Sequence, residues 1–133
     1  MLSILIGLLA LQSAQTAAPR YETPTIRAVG CRCPAQVEAD AIRLEGLVVD
    51  AEVTLAPDGL SINDRMATVF MIKAGGKISG RTKIWHFSNP DQCGVTFDYG
   101  ARYKLVVRQT EEGDLETDQC LMRQAPAATD SSN

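Results

Sequence analysis

The sequence predicts an all-β fold with minor helix, a five-stranded Greek-key barrel of the OB type stapled by two disulfides. Three observations lead there. Strand-length apolar runs recur at short spacing, separated by turns rich in Gly, Pro and Asp. The first run is long and inverts its apolar phase at Gly46, which is how a bulge or sharp bend reads in a sequence. Such a strand suits a small closed barrel better than a flat sheet. Finally, four cysteines stand in a chain of 133 residues, two of them within Cys31-Arg32-Cys33-Pro34.

Cys31 and Cys33 cannot easily bond each other. In an extended stretch, alternate Cα atoms lie about 6.6 Å apart, near the upper limit for a disulfide. Pro34 keeps Cys33 out of the helical region and favours that extended form. Both thiols then point the same way and need distant partners, and only Cys93 and Cys120 remain. Of the three possible pairings, two survive. A four-thiolate zinc site usually shows two Cys-x-x-Cys knuckles, and the chain has neither. Its single histidine, His86, lies in the apolar run Lys83-Ile84-Trp85-His86-Phe87 and reads as a hydrogen-bonded sheet residue. No resident metal and no cofactor is therefore expected, and two disulfides imply an oxidising compartment.

Met1 to Leu11 is an uncharged apolar run too short to span a bilayer, followed by Ser13-Ala14-Gln15-Thr16-Ala17-Ala18. Residues 1–18 thus read as a secretory signal peptide, making the chain secreted, extracellular or periplasmic, without a stable membrane anchor. Residues 19–30 show no period and read as an N-terminal linker arm. The folded domain spans 31–123, and the small, polar residues 124–133 read as a disordered tail. One small domain of this size has a limited core, which two long-loop disulfides would supplement; a monomer is expected.

The elements follow in order. A helical turn is expected after Pro34, in Ala35 to Asp40. In the first strand Ile42 and Leu44 share a face. Beyond Gly46 the residues Leu47, Val49, Ala51, Val53 and Leu55 point one way, and Val48, Asp50, Glu52 and Thr54 the other. Pro57-Asp58-Gly59 turns the chain. Met66 to Ile72 is apolar on both faces, as a covered central strand is. A glycine-rich loop leads to the strand Thr82 to Phe87, and Asn89-Pro90-Asp91 turns into Cys93. Val95, Phe97 and Tyr99 alternate, Gly100 breaks the run, and Tyr103, Leu105 and Val107 alternate again. Glu111-Glu112-Gly113-Asp114 is a hairpin turn before a last short strand into Cys120.

Taken together, these motifs resemble the netrin-like domain, and in particular the N-terminal domain of the tissue inhibitors of metalloproteinases. The residues that carry the resemblance are Cys31-Arg32-Cys33-Pro34, the bent strand Leu44 to Val53, Met66 to Ile72, Cys93-Gly94-Val95-Thr96-Phe97, and Cys120 after a hairpin. It covers about Cys31 to Met122. The resemblance implies an OB barrel, the pairs Cys31–Cys93 and Cys33–Cys120, and a binding ridge formed by Cys31, Arg32, Cys33 and Pro34. In that family the first cysteine is N-terminal, and its free amine and carbonyl chelate the target protease's zinc. Here Cys31 lies inside the chain, so it could chelate only if it became N-terminal. Arg32 stands where the family usually has a small hydroxyl residue, and the domain's third disulfide is absent.

Three function classes follow. A secreted, non-enzymatic binder or inhibitor of a zinc metalloendopeptidase would act through the Cys31–Pro34 ridge. A general extracellular module would bind a protein, a glycan or another polymer. A glycoside-type enzyme is the remote third, because no nucleophile elbow, phosphate loop or metal pair is present. Asp50 and Glu52 read as a solvated strand face. Lys73, Lys77, Arg81 and Lys83, with Arg102, Lys104 and Arg108, could form a patch for acidic polymers, although a charge-balanced barrel face is the plainer meaning. Nucleic acid is not an expected partner, given the net charge of −3, few aromatics and the export signal.

Overall fold

The computed structural model describes residues 19–24, 31–35, 39–73 and 76–125. The expected signal peptide lies outside them. So do residues 25–30 of the arm, the middle of the expected turn after Pro34, and the tail beyond Ala125. Five strands, β1 (Ile42–Glu52), β2 (Arg65–Ile72), β3 (Gly80–Phe87), β4 (Arg102–Gln109) and β5 (Leu115–Glu116), form the body, and one helical turn, α1 (Gln119–Met122), follows them. They close in the order β1-β2-β3-β5-β4, with β4 returning to β1. Among the pairs of described strands, β3 and β5 alone run parallel. This is the five-stranded barrel that the spacing of apolar runs predicts.

β1 can serve both β2 and β4 because it is long and bent, but the bend is not where the apolar phase suggested. Ile42, Leu44, Gly46 and Val48 continue on one inward row, and the register shifts between Val48 and Asp50. The residue left over is Val49, the extra residue of a bulge. Gly46 belongs to the inward row and interrupts nothing: a Cβ there would lie 2.9 Å from Ile72 Cδ1 and 3.0 Å from Phe70 Cβ. Those two side chains cross the space that glycine leaves. Past the bulge, Val53 and Leu55 leave the barrel altogether and project in a hairpin, where Leu55 pairs with Ile62.

β2 is covered on both faces, as expected, with Ala67 to Phe70 all buried. The outer cover is polar at its tips. Val69 lies in register between Asp50 and Lys83, and Ala67 between Glu52 and Trp85. Arg81 bonds Asp50 at 2.9 Å and Lys83 bonds Glu52 at 2.6 Å, so their aliphatic stems lie across β2. Inside, Phe70, Phe97 and Tyr103 meet edge to face, with centroids 5.0–6.3 Å apart.

One expected strand is replaced and another is shortened. Val95 to Tyr99 is irregular: Val95 and Phe97 do face the core, but Tyr99 is 82% exposed. The segment plugs the barrel without laddering, held by Val95 N–H to the Phe87 carbonyl and Asp98 N–H to the Tyr103 hydroxyl. The chain into Cys120 is strand only at Leu115–Glu116 and then helical, because Asp118 caps the N–H of Leu121 at 2.8 Å. Gln124 and Ala125 continue that turn through bonds to Leu121 and Met122. The described part of the arm is docked rather than loose. Tyr21 bridges Arg102, Glu22 N–H bonds the Arg102 carbonyl at 2.7 Å, and the Tyr21 hydroxyl donates to Glu45 at 2.8 Å.

Candidate functional site

Cys31 and Cys33 bridge to opposite sides of one junction in the barrel wall. Cys93 ends the 3₁₀ turn Pro90–Gln92, and Cys120 lies in α1. Turn and helix are tied together by the Gln119 N–H, which bonds the Cys93 carbonyl at 2.9 Å. Onto this junction fold Cys31–Cys93, with Cα atoms 5.0 Å apart, and Cys33–Cys120, at 5.3 Å. The pairing is the one the family resemblance implies. The bridges touch, Cys31 Sγ lying 3.7 Å from Cys120 Sγ. The sulfurs of Cys31, Cys93 and Cys120 lie within 4.8 Å of one another, but joined in disulfides they offer a metal no thiolate.

The seat of Cys93 is built with care in its backbone. Cys93 is the one described non-glycine residue at positive φ, 56°, in the left-handed region. Asn89 holds the turn by accepting the N–H of Asp91 at its side chain and those of Gln92 and Gly94 at its carbonyl. Gly94 then passes against the chain so closely that a Cβ would lie 2.5 Å from the Asn89 carbonyl and 2.6 Å from that of Phe87. Only glycine fits.

Gln119, Asp118 and Glu116, which sequence reasoning did not single out, complete the seat together with Arg108, read from the sequence only as part of a basic patch. Gln119 is 0% exposed and its side-chain amide donates to the Gly94 carbonyl at 3.0 Å. Asp118, besides capping α1, accepts from Arg108 at 2.8 Å, and Arg108 also bonds Glu116 at 2.7 Å. Burial alone would lower the Arg108 pKa, but its two carboxylates outweigh that and hold it above its ordinary value. The sequence signal was slight, an Asp just before a short apolar helix.

The ridge itself carries Arg32 and Pro34, both exposed, with Ala35 after them. Arg123 donates toward Cys33 Sγ at 3.4 Å. Beside Cys93 lies a shallow hollow of about 180 Å³, where Arg65 covers the Trp85 ring at 4.6 Å and Gln92 and Asp118 form the rim. The other sequence candidates scatter. His86 faces the core, between Thr68 at 2.7 Å and the Phe87 carbonyl at 3.0 Å. Asp50 and Glu52 are engaged by Arg81 and Lys83, and Lys73 lies 3.8 Å from Glu45. Lys104 sits over the Tyr21 ring. Among the described residues, the acids paired with these cations are Glu45, Asp50 and Glu52 of β1, Glu116 of β5 and Asp118 before α1.

The chain matches no family model, no curated protein and no solved structure. Two disulfides are the chemistry of a non-cytoplasmic, oxidising compartment. Among the described residues, no helix is long and apolar enough to cross a membrane.

Proposed function

We propose that the chain is a secreted, non-enzymatic binding domain of the netrin-like and tissue-inhibitor type, with the Cys31–Pro34 ridge as its working surface and a zinc endopeptidase as partner. One observation carries this reading: a short irregular segment with exposed side chains is fixed at two adjacent points to a closed barrel. A segment ordered in advance loses little freedom on binding, which is what protein recognition by a loop rewards. Chelation of a partner's zinc would use the Cys31 carbonyl and its nitrogen. While residues precede Cys31 that nitrogen is a peptide amide, without a lone pair for a metal.

The test compares the secreted form, a form beginning at Cys31, and its N-acetylated version against a panel of zinc endopeptidases. Inhibition by the Cys31 form alone is expected, and Arg32→Thr should widen its range, because an apolar pocket must desolvate a guanidinium. If all three forms are equally inert, zinc chelation is not the function.

A second reading, a protein-binding module without protease inhibition, is favoured by the hairpin beyond β1. Val53, Leu55 and Ile62 are more than half exposed, and Leu60 is 92% exposed. The hairpin base joins the ridge side of the barrel through the Ser88 N–H to Asp64 carbonyl bond. The acidic-polymer reading is weakened, since four of its seven cations, Lys73, Arg81, Lys83 and Arg108, are held in ion pairs.

A further inference from the structure

The ridge carries a second chemistry that needs no free amine. We infer that it is also a substrate-like inhibitor of serine endopeptidases whose primary pocket ends in a carboxylate, with Arg32–Cys33 as the peptide bond presented to the enzyme. This goes beyond the zinc reading and is independent of it, because it requires Cys31 to remain inside the chain.

Cys31 and Cys33 both turn toward the barrel to reach their partners, so the side chain between them is sent outward. Arg32 is exposed, and among the described residues no hydrogen bond or ion pair engages its guanidinium. A long cation raised on a rigid ridge suits a deep pocket floored by an aspartate, as that of trypsin is. The desolvation that counts against Arg32 in an apolar pocket is there offset by a charge-assisted pair. Arg123 beside Cys33 adds a second cation to the same crest.

The stronger argument is the placement of the two bridges, one on each side of the Arg32–Cys33 bond. In a serine endopeptidase the serine Oγ passes its proton to the catalytic histidine and adds to the Arg32 carbonyl carbon. The bond to the Cys33 nitrogen breaks, that nitrogen takes the histidine's proton, and Arg32 becomes an ester of the serine. An ordinary leaving peptide would now diffuse away. Here the new amine is held by Cys33–Cys120 beside the ester held by Cys31–Cys93, and their anchors are joined through the Gln119 to Cys93 bond. At that effective concentration the amine attacks the ester, restores the amide and frees the serine. Entry of water instead leaves an Arg32 carboxylate and a Cys33 amine in a product still covalently one molecule.

The experiment uses the secreted chain, its start confirmed upstream of Cys31, with trypsin, and with chymotrypsin as the apolar-pocket control. Near-stoichiometric inhibition of trypsin and none of chymotrypsin is expected. Arg32→Ala should weaken it by about a hundredfold or more, and Arg32→Lys by no more than about tenfold. A form one water heavier should build up slowly and come apart between Arg32 and Cys33 only on reduction. Because Arg32 is exposed, both variants should keep two disulfides by mass and the parent's thermal midpoint. Digestion without inhibition, inhibition unchanged in Arg32→Ala, or neither inhibition nor that cut would each overturn the inference.

Discussion

The imidazole of His86 is 3% exposed, and in its neutral form the surroundings select one tautomer. Nδ1 faces the Phe87 carbonyl and must donate, so Nε2 accepts from the Thr68 hydroxyl. Burial holds its pKa below the ordinary histidine value, only partly offset by backbone bonds to Phe87 and Val95. The unfolded chain has no such depression, so below a pH of about 6.5 it gains a proton that the folded chain refuses. Stability from this site is therefore complete above about 6.5 and falls as the pH drops, by at most about 1.4 kcal/mol per unit. Urea midpoints from pH 7.5 to 5 should fall in the parent and fall less in His86→Gln; equal slopes would place the acid sensitivity elsewhere. The inward setting of His86 was readable from its apolar neighbours. Gln119 was not: an amide in a polar stretch looks the same whether it meets water or the Gly94 carbonyl.

Among the described glycines, Gly94 in the turn that seats Cys93 leaves the least room for a side chain. Gly94→Ala sets a methyl against two backbone carbonyls that no rotamer can move aside. A loss of at least about 2 kcal/mol is expected, read from the denaturant midpoint. A cost near zero would mean that the 89–94 turn yields easily. The Cys93-Gly94 pair was visible in the sequence, but the carbonyls that demand the glycine come from Phe87 and Asn89, whose approach depends on the fold. β1 shows the opposite failure. Alternation showed that its residues share faces, but an inward glycine looks like a break, and the extra residue Val49 carries no sequence mark. Val53 and Leu55 were assigned with the barrel because period two cannot tell a buried face from a projecting one.

For the molecule as a whole, the two bridges are the main addition to a small core. They close loops separated by 62 and 87 residues, and each contributes about 4 kcal/mol if the chain-entropy account holds. Because the loops overlap, replacing both pairs by serine should cost less than the sum of the separate replacements. Equilibrium unfolding of the Cys31/Cys93 and Cys33/Cys120 double variants, alone and combined, measures this, and strict additivity would contradict it. The barrel class, the turns and the need for Cys31 and Cys33 to find distant partners were legible because they follow local patterns of residues; the choice between the two remaining pairings came from the family resemblance. Which acids meet which cations across β2 was not legible, because Asp50 meets Arg81 and Glu52 meets Lys83 only once three strands are in register.

The docked arm changes what a processing cut would accomplish. Tyr21 and Glu22 are held on β4 and β1, Pro24 is buried, and the chain is tied down again at Cys31. A protease acting between those points opens a closed strap instead of trimming a free end. The severed piece stays in place through the Arg102 bridge and the Glu45 hydrogen bond until those few contacts let go. Cleavage and exposure of a new terminus would then be separate events, the second with its own clock, set by how fast a short peptide slips from the end of a barrel strand.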